Sequence, residues 1–193
     1  MPRTVTIQHI ADKVRTVTND TASPYRTEDP EIIGWVNDCV SSCVSIVPQL
    51  FTKQGTHTAT AGTRQDVVLE RSAGLVDVLG VPPADLAALT AFKPGWQADD
   101  AGPIQNWLRP ANETLSFFTY PPQAGGEEIP IVYIEAPAKM TLITDIIPLP
   151  EVYEPAIVAY CVSMVEAKDD EHVLSQRSAQ FMADFAGRIK GGA

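Results

Sequence analysis

Helical periodicity is confined to the two ends of this chain, and the stretch between them carries the residues that forbid it. Residues 55–149 hold 10 of the 16 prolines and 8 of the 12 glycines. Proline costs a helix interior about 3 kcal/mol and glycine about 1 kcal/mol relative to alanine, so long helices are excluded there. Helical spacing of apolar residues instead runs over Ile7–Val17 and Ile32–Val47 at the front, and over Tyr153–Lys168 and Val173–Ile189 at the back. Four one-sided helices must bury their stripes on each other. The pattern predicts an α+β fold: an antiparallel helical bundle made by the N- and C-terminal helices, with an inserted strand-rich region of hairpin or sandwich type. The expected organisation is an N-terminal helical pair (1–54), an insert (55–149) and a C-terminal helical pair (150–193) packing on the first. This is one composite domain plus its insert.

Local signals fill in this plan. In the first helix Ile7, Ile10, Ala11, Val14 and Val17 form the apolar stripe, with Gln8, Asp12, Lys13 and Arg15 opposite. The second helix is expected to be capped by Asp29 with Pro30 at its first position, and to stop at Pro48. Ile32, Val36, Cys39, Val40, Cys43, Val44 and Val47 give its stripe, and Trp35 lies off it. In the insert, strands are expected at 56–61 and 66–71 around a Gly62-Thr63 turn. A short helix is expected at 84–89, and a hairpin of 105–109 with 115–120. Further strands are expected at 129–135 and 143–147. The third helix carries Tyr153, Ile157, Tyr160, Cys161, Met164 and Val165 on one stripe. Asp169-Asp170-Glu171 breaks it. The fourth carries Leu174, Phe181, Met182, Phe185 and Ile189, ending with Arg188 and Lys190, which suit a helix C-terminus.

Charge and motif content exclude several function classes. The formal net charge is −10, and the middle region, with 5 basic and 11 acidic residues, supplies most of it. No basic footprint for ordinary nucleic-acid binding exists. No apolar run approaches a membrane span, and no leader peptide is evident at Met1-Pro2-Arg3-Thr4. Three cysteines, Cys39, Cys43 and Cys161, suit a reducing compartment. Cys39 and Cys43 share a helix face, where buried thiols are the simple reading. A metal pair with His57 or His172 lacks a completing ligand set. No nucleophile elbow or phosphate loop occurs, and Thr60–Arg64 reads as a hairpin turn. His9 sits on the polar flank of the first helix, His57 in a strand and His172 at a helix start. The acidic pairs Asp99-Asp100 and Asp169-Asp170 read as a solvated loop and a helix start. No catalytic residue, cofactor site or metal site is assigned, and the chain is not expected to be an enzyme.

What remains is a concentration of aromatic residues in the middle. Trp96, on the Pro94-Gly95 loop after Phe92, is read as a partner anchor, with pinning of its own loop as the alternative. Phe92, Pro94, Trp96, Trp35, Arg188 and Lys190 are the candidate partner contacts.

The segment Tyr25-Arg26-Thr27-Glu28-Asp29-Pro30-Glu31-Ile32-Ile33-Gly34-Trp35-Val36-Asn37-Asp38 resembles the opening of phage head-to-tail adaptor (connector) proteins. Leu149-Pro150-Glu151-Val152-Tyr153-Glu154-Pro155-Ala156-Ile157-Val158 is similar to the start of their C-terminal part. Pro94-Gly95-Trp96-Gln97 and Phe118-Thr119-Tyr120-Pro121-Pro122 fit their middle. Glu28 and Pro30 depart from the pattern, where a Ser-type cap and a plain helix former would stand. The resemblance spans nearly the whole chain. It implies a structural virion protein made in the host cytoplasm: a ring, usually twelvefold, between portal and tail that surrounds the channel through which genomic DNA is ejected. The implied partners are further copies of the chain, the portal protein and tail tube or nozzle proteins. The C-terminal tail from Arg188 is expected to reach the portal. Competing readings are another tail-completion or neck protein, a small cytosolic hydrolase, or a binding module.

Overall fold

A computed structural model describes residues 4–168 and 175–191. Among these residues the protein is α+β, with five α-helices and two sheets. It divides into a helical unit (Met1–Leu50 with Pro137–Ala193) and a strand unit (Phe51–Ala136).

In the helical unit, α1 spans Ile7–Val17 and α2 spans Asp29–Ile46. Helix α4 spans Glu154–Lys168 and α5 spans Ser175–Gly191. The α1 stripe is buried as expected through Val14, but Arg15 is buried with it while Val17 is 44% exposed. The Arg15 guanidinium bonds to the Thr27 carbonyl at 3.1 Å and Asp29 Oδ1 at 2.6 Å and lies over the Tyr25 ring. A charge this deep is tolerated because it is paired. The α2 cap falls one residue before the expected Asp29. Glu28 takes that place, and its N–H donates to Glu31 Oε2 at 3.1 Å, while Pro30 occupies the first turn. Helix α4 departs from the one-stripe expectation. Ala156, Ile157, Ala159, Cys161, Val162, Ser163 and Val165 are all buried, because α4 touches α1, α2 and α5. An all-round apolar helix is a central one. His172, Leu174 and the expected break at Asp169-Asp170-Glu171 lie outside the described residues.

The expected strand at 143–147 is instead a turn followed by a single antiparallel bridge from Ile146 to Thr6, tied to the start of α1. Ile7 N–H donates to the Asp145 carbonyl at 3.0 Å and Gln8 N–H to Ile143 at 2.7 Å, while Ile147 N–H donates to Val5 at 2.9 Å. The first two bonds satisfy amide groups that the start of α1 leaves orphaned. They also place 137–149 in the helical unit, whereas the sequence suggested the insert extends to 149. Asn37 fixes the same return. Its side chain accepts from Met140 N–H and donates to the Met140 carbonyl, both at 2.9 Å.

In the strand unit, β1 (Thr52–Thr58), β7 (Glu128–Glu135) and β3 (Ser72–Val78) form one antiparallel sheet in the order β1-β7-β3. The other runs β2-β6-β5-β4, from β2 (Gly62–Asp66), β6 (Ser116–Gln123), β5 (Asn106–Leu108) and β4 (Pro83–Ala84). Helix α3 (Leu86–Phe92) follows β4. The two sheets share a core of Val67, Leu75, Val78, Trp107, Phe117, Ile129 and Ile131. The expected hairpin at Gly62-Thr63 does not form: β1 and β2 belong to different sheets, so the chain crosses between them there. Buried Gln65 holds the crossing. Its amide accepts from Thr60 N–H at 2.7 Å and donates to the Thr60 carbonyl at 2.9 Å. The hairpin of β5 with β6 and the strand β7 match expectation.

Candidate partner-binding surfaces

In the strand unit the outward-facing element is α3. Its sequence, Leu-Ala-Ala-Leu-Thr-Ala-Phe, is apolar, yet none of its residues is buried. The helix is nonetheless held firmly at both ends. Asp85 caps it by accepting Ala88 N–H at 2.7 Å. At the other end Gly95, with φ of 80°, reverses the chain and turns the next side chain inward. That side chain is Trp96, and it is fully buried. It stands edge-on to Phe118 (6.3 Å, 88°) and Tyr120 (6.2 Å, 76°), and its indole N–H reaches Thr90 Oγ1 at 3.3 Å. Trp96 therefore pins the loop and cannot be an exposed anchor in the free chain. Lys93 adds a clamp by pairing with Asp99 and donating to Tyr120 Oη at 2.9 Å. The hydrogen bond it donates to Asp99, then the one it donates to Tyr120, holds the Lys93 ammonium above its ordinary pKa. On this base Phe92 is 90% exposed, and Pro94 beside it is exposed too.

Between α3 and the segment that follows β5 lies a groove of about 810 Å³, lined by Ala84, Asp85, Leu86, Ala87, Thr90, Ala91, Arg109 and Ala111. Arg109 donates to the Leu75 and Val76 carbonyls at 2.8 and 2.9 Å and lies over the Trp107 ring.

In the helical unit a smaller groove of about 270 Å³ runs between α1, α4 and α5, with Lys13, Val17, Glu154, Phe181 and Arg188 among its walls. Glu154 is buried, with His9 Nε2 3.1 Å from its Oε1 and Lys13 paired to the same oxygen. Burial pushes its carboxyl up, but Lys13 and His9 outweigh burial and hold it below the usual range. Sequence reasoning missed this cluster, because its partners lie more than 140 residues apart and Glu154 by itself looks like an ordinary first-turn acid. Arg188 pairs with Asp184 at 2.8 Å and Lys190 is exposed, but both sit in the last turns of α5. Ile189 between them is fully buried, so a free tail does not begin at Arg188. Trp35 is half-buried.

The residues weighed for catalysis do not converge. His9 bonds Glu154, and buried His57 lies 3.2 Å from Gln65 and edge-on to Phe117. Asp99 is engaged by Lys93. Cys39, Cys43 and Cys161 are free and buried in the helical unit. The bond with Cys43, then burial, raises the Cys39 thiol, and burial pushes Cys161 up to about 12. Among the described residues no group of three His, Cys, Asp or Glu side chains is placed to hold a metal ion. Among them no helix is long and apolar enough to cross a membrane.

A clamped, uncovered apolar helix describes a protein that presents a surface. A comparison with protein families agrees with the resemblance read from the sequence: the model for the SU10 adaptor protein matches residues 5–192. The chain belongs to the SU10 adaptor protein family. That match spans both units, so the strand unit belongs to the family pattern and is no foreign addition. No curated protein matches the chain. Family membership makes this a phage adaptor protein of structural type and a component of the virion.

Proposed function

We propose that this adaptor forms the ring that joins the portal to the tail and surrounds the DNA exit channel. Copies in such a ring meet by heterologous contacts that close by rotation, and the resemblance implies a usually twelvefold ring. The four long helices act as an antiparallel bundle forming the ring body, and the strand unit is an insert that carries contacts to neighbours and to tail proteins. The observation that carries this reading is α3. A capped, clamped seven-residue helix with six apolar side chains and none of them fully buried is costly to leave in water and makes sense as a surface awaiting a partner. The formal charge of −10 supports a channel role, since an acidic wall repels phosphate and lets a duplex pass without sticking. Phe92 and Pro94, together with Trp35, are assigned to neighbour or tail contacts, and Arg188 and Lys190 to the portal.

The test is a reconstruction of the neck of particles carrying this chain, with pull-down of the chain by portal protein. A closed ring below the portal is expected. Purified particles without the chain would end this reading. The portal assignment is tested by the pair Arg188→Glu and Lys190→Glu, since truncation at 188 would also remove the buried Ile189. Unchanged portal binding in that double variant removes the assignment.

A further inference from the structure

The strand unit carries, besides its groove, a feature shaped to fill one. Residues 67–71 connect β2 to β3, and their side chains alternate. Val67 is buried and Leu69 packs on the core, so Val68 and Glu70 point out. Val68 is 87% exposed, so its isopropyl group is free to enter an apolar site on another molecule. The loop is held in shape: Ser72 donates to the Leu69 carbonyl from its N–H at 3.1 Å and from its hydroxyl at 2.9 Å. Glu70 is exposed and forms no ion pair or hydrogen bond among the described residues.

The groove beside α3 has the complementary character. Leu86, Ala87, Ala91 and Ala111 give it apolar walls, and Arg109 stands at its edge. Arg109 spends its bonds on the Leu75 and Val76 carbonyls, and among the described residues no carboxylate pairs with it. The acid sharing the groove, Asp85, is occupied in capping α3. One chain thus carries an unpaired anion beside an exposed valine, and an unpaired cation beside an exposed apolar groove. The two features lie at different places on the same unit.

We infer that the Val68–Glu70 loop of one copy docks into the α3 groove of the next, with Val68 against Leu86, Ala87 and Ala91 and Glu70 paired with Arg109. The contact is heterologous, as a closed ring requires: each copy offers one loop and one groove. The partner of the groove is a second copy of this chain and not the portal or the tail. The inference rests on the ring reading above and says which surfaces close the ring.

Charge swapping tests it. The variants Glu70→Arg and Arg109→Glu place like charges opposite each other at every contact when each variant is alone. Mixed in equal amounts they restore an opposite pair at every contact of an alternating ring. Assembly is read by mass photometry and electron microscopy of the full-length chain, alone and with portal protein. Wild type is expected to assemble. Each single variant should need roughly tenfold or more higher concentration, and the mixture should recover. Because Arg109→Glu also removes two bonds to β3, Val68→Asp and Ala87→Asp serve as variants at exposed positions with no folding role. Both should fail to assemble while keeping the wild-type circular dichroism. If wild type assembles and these two exposed variants assemble equally well, the inference is overturned and the ring reading stands. If wild type forms no ring even with portal protein, both fall.

Discussion

Replacing Trp96 by alanine separates the two roles this residue could have. As an exposed anchor, its loss would weaken partner binding and leave the fold intact. As a buried pin, its loss empties a fully enclosed site. Truncating a buried tryptophan costs about 3–5 kcal/mol. Within that total, the edge-on contacts with Phe118 and Tyr120 account for about 0.5–1.5 kcal/mol each and the bond to Thr90 for about 1 kcal/mol. Trp96→Phe keeps the ring contacts and should cost only about 1–2 kcal/mol. The assay is urea unfolding of the full chain in a Trp35→Phe background, followed by the fluorescence of Trp107, which lies in the strand-unit core and survives both substitutions. A lowered midpoint with an unchanged slope reports lost stability. A Trp96→Ala variant within about 1 kcal/mol of wild type, yet unable to bind portal or tail proteins, would refute the burial argument and return Trp96 to the interface.

Three further perturbations follow from the same geometry. Gly95→Ala meets no atom within 4 Å but must hold φ at 80°, so it should cost about 1–2 kcal/mol by backbone strain alone, read as a shifted urea midpoint; no shift would mean that the reversal before Trp96 is not needed. Glu154 has a carboxyl held below its unfolded value of about 4.3, so its contribution is present above that pH and is lost as pH falls through the lower folded value. Glu154→Gln should therefore cost about 1–3 kcal/mol at pH 7 and flatten the acid side of the stability curve, and an acid limb identical to wild type would exclude the ion cluster as its source. Burial raises the Cys161 thiol to about 12 against about 8.5 unfolded, so stability should hold below pH 8.5 and fall as pH rises toward 12. Cys161→Ala should lessen that alkaline fall, and thiol reagents should label wild type only on unfolding.

How far the sequence could be read depended on whether a signal was local. Helix α1 and the β5–β6 hairpin were legible because their periodicity and turn residues lie within a dozen or so positions. Helix α4 misled: a one-stripe reading was natural, but Val162 and Ala159 on its other faces are buried too, since three helices surround it. The strands before residue 80 were misregistered for a similar reason. Polar β1 and short β2 look like a hairpin, whereas the glutamine amide of Gln65 is what holds a crossing between sheets. Arg15 was read as part of the polar face and the Glu154 cluster was not foreseen, because their partners, Asp29 and the His9–Lys13 pair, become neighbours only in the folded unit. Trp96 went inward because of a single glycine conformation, which composition cannot show.

The placement of these features separates folding from association within the strand unit. Its core is made by Val67, Leu75, Val78, Trp107, Phe117, Ile129 and Ile131, and no side chain of α3 contributes to it. What α3 needs from the fold is supplied at its ends, by the Asp85 cap and the Trp96 pin. Its outer residues Ala87, Ala91 and Phe92 can therefore change without emptying any core site, and so can Val68 in the β2–β3 connection. The helical unit lacks this freedom, since Glu154 and Ile189 border its groove or its C-terminal charges while also being buried. Substitutions that alter contacts between copies should therefore be tolerated by folding in the strand unit and resisted in the helical one. A matched scan, reading unfolding midpoint and assembly for each variant, should find the two readouts independent at 68, 87, 91 and 92 and correlated at 154 and 189. Correlated losses at the first four positions would mean that α3 is a folding element after all.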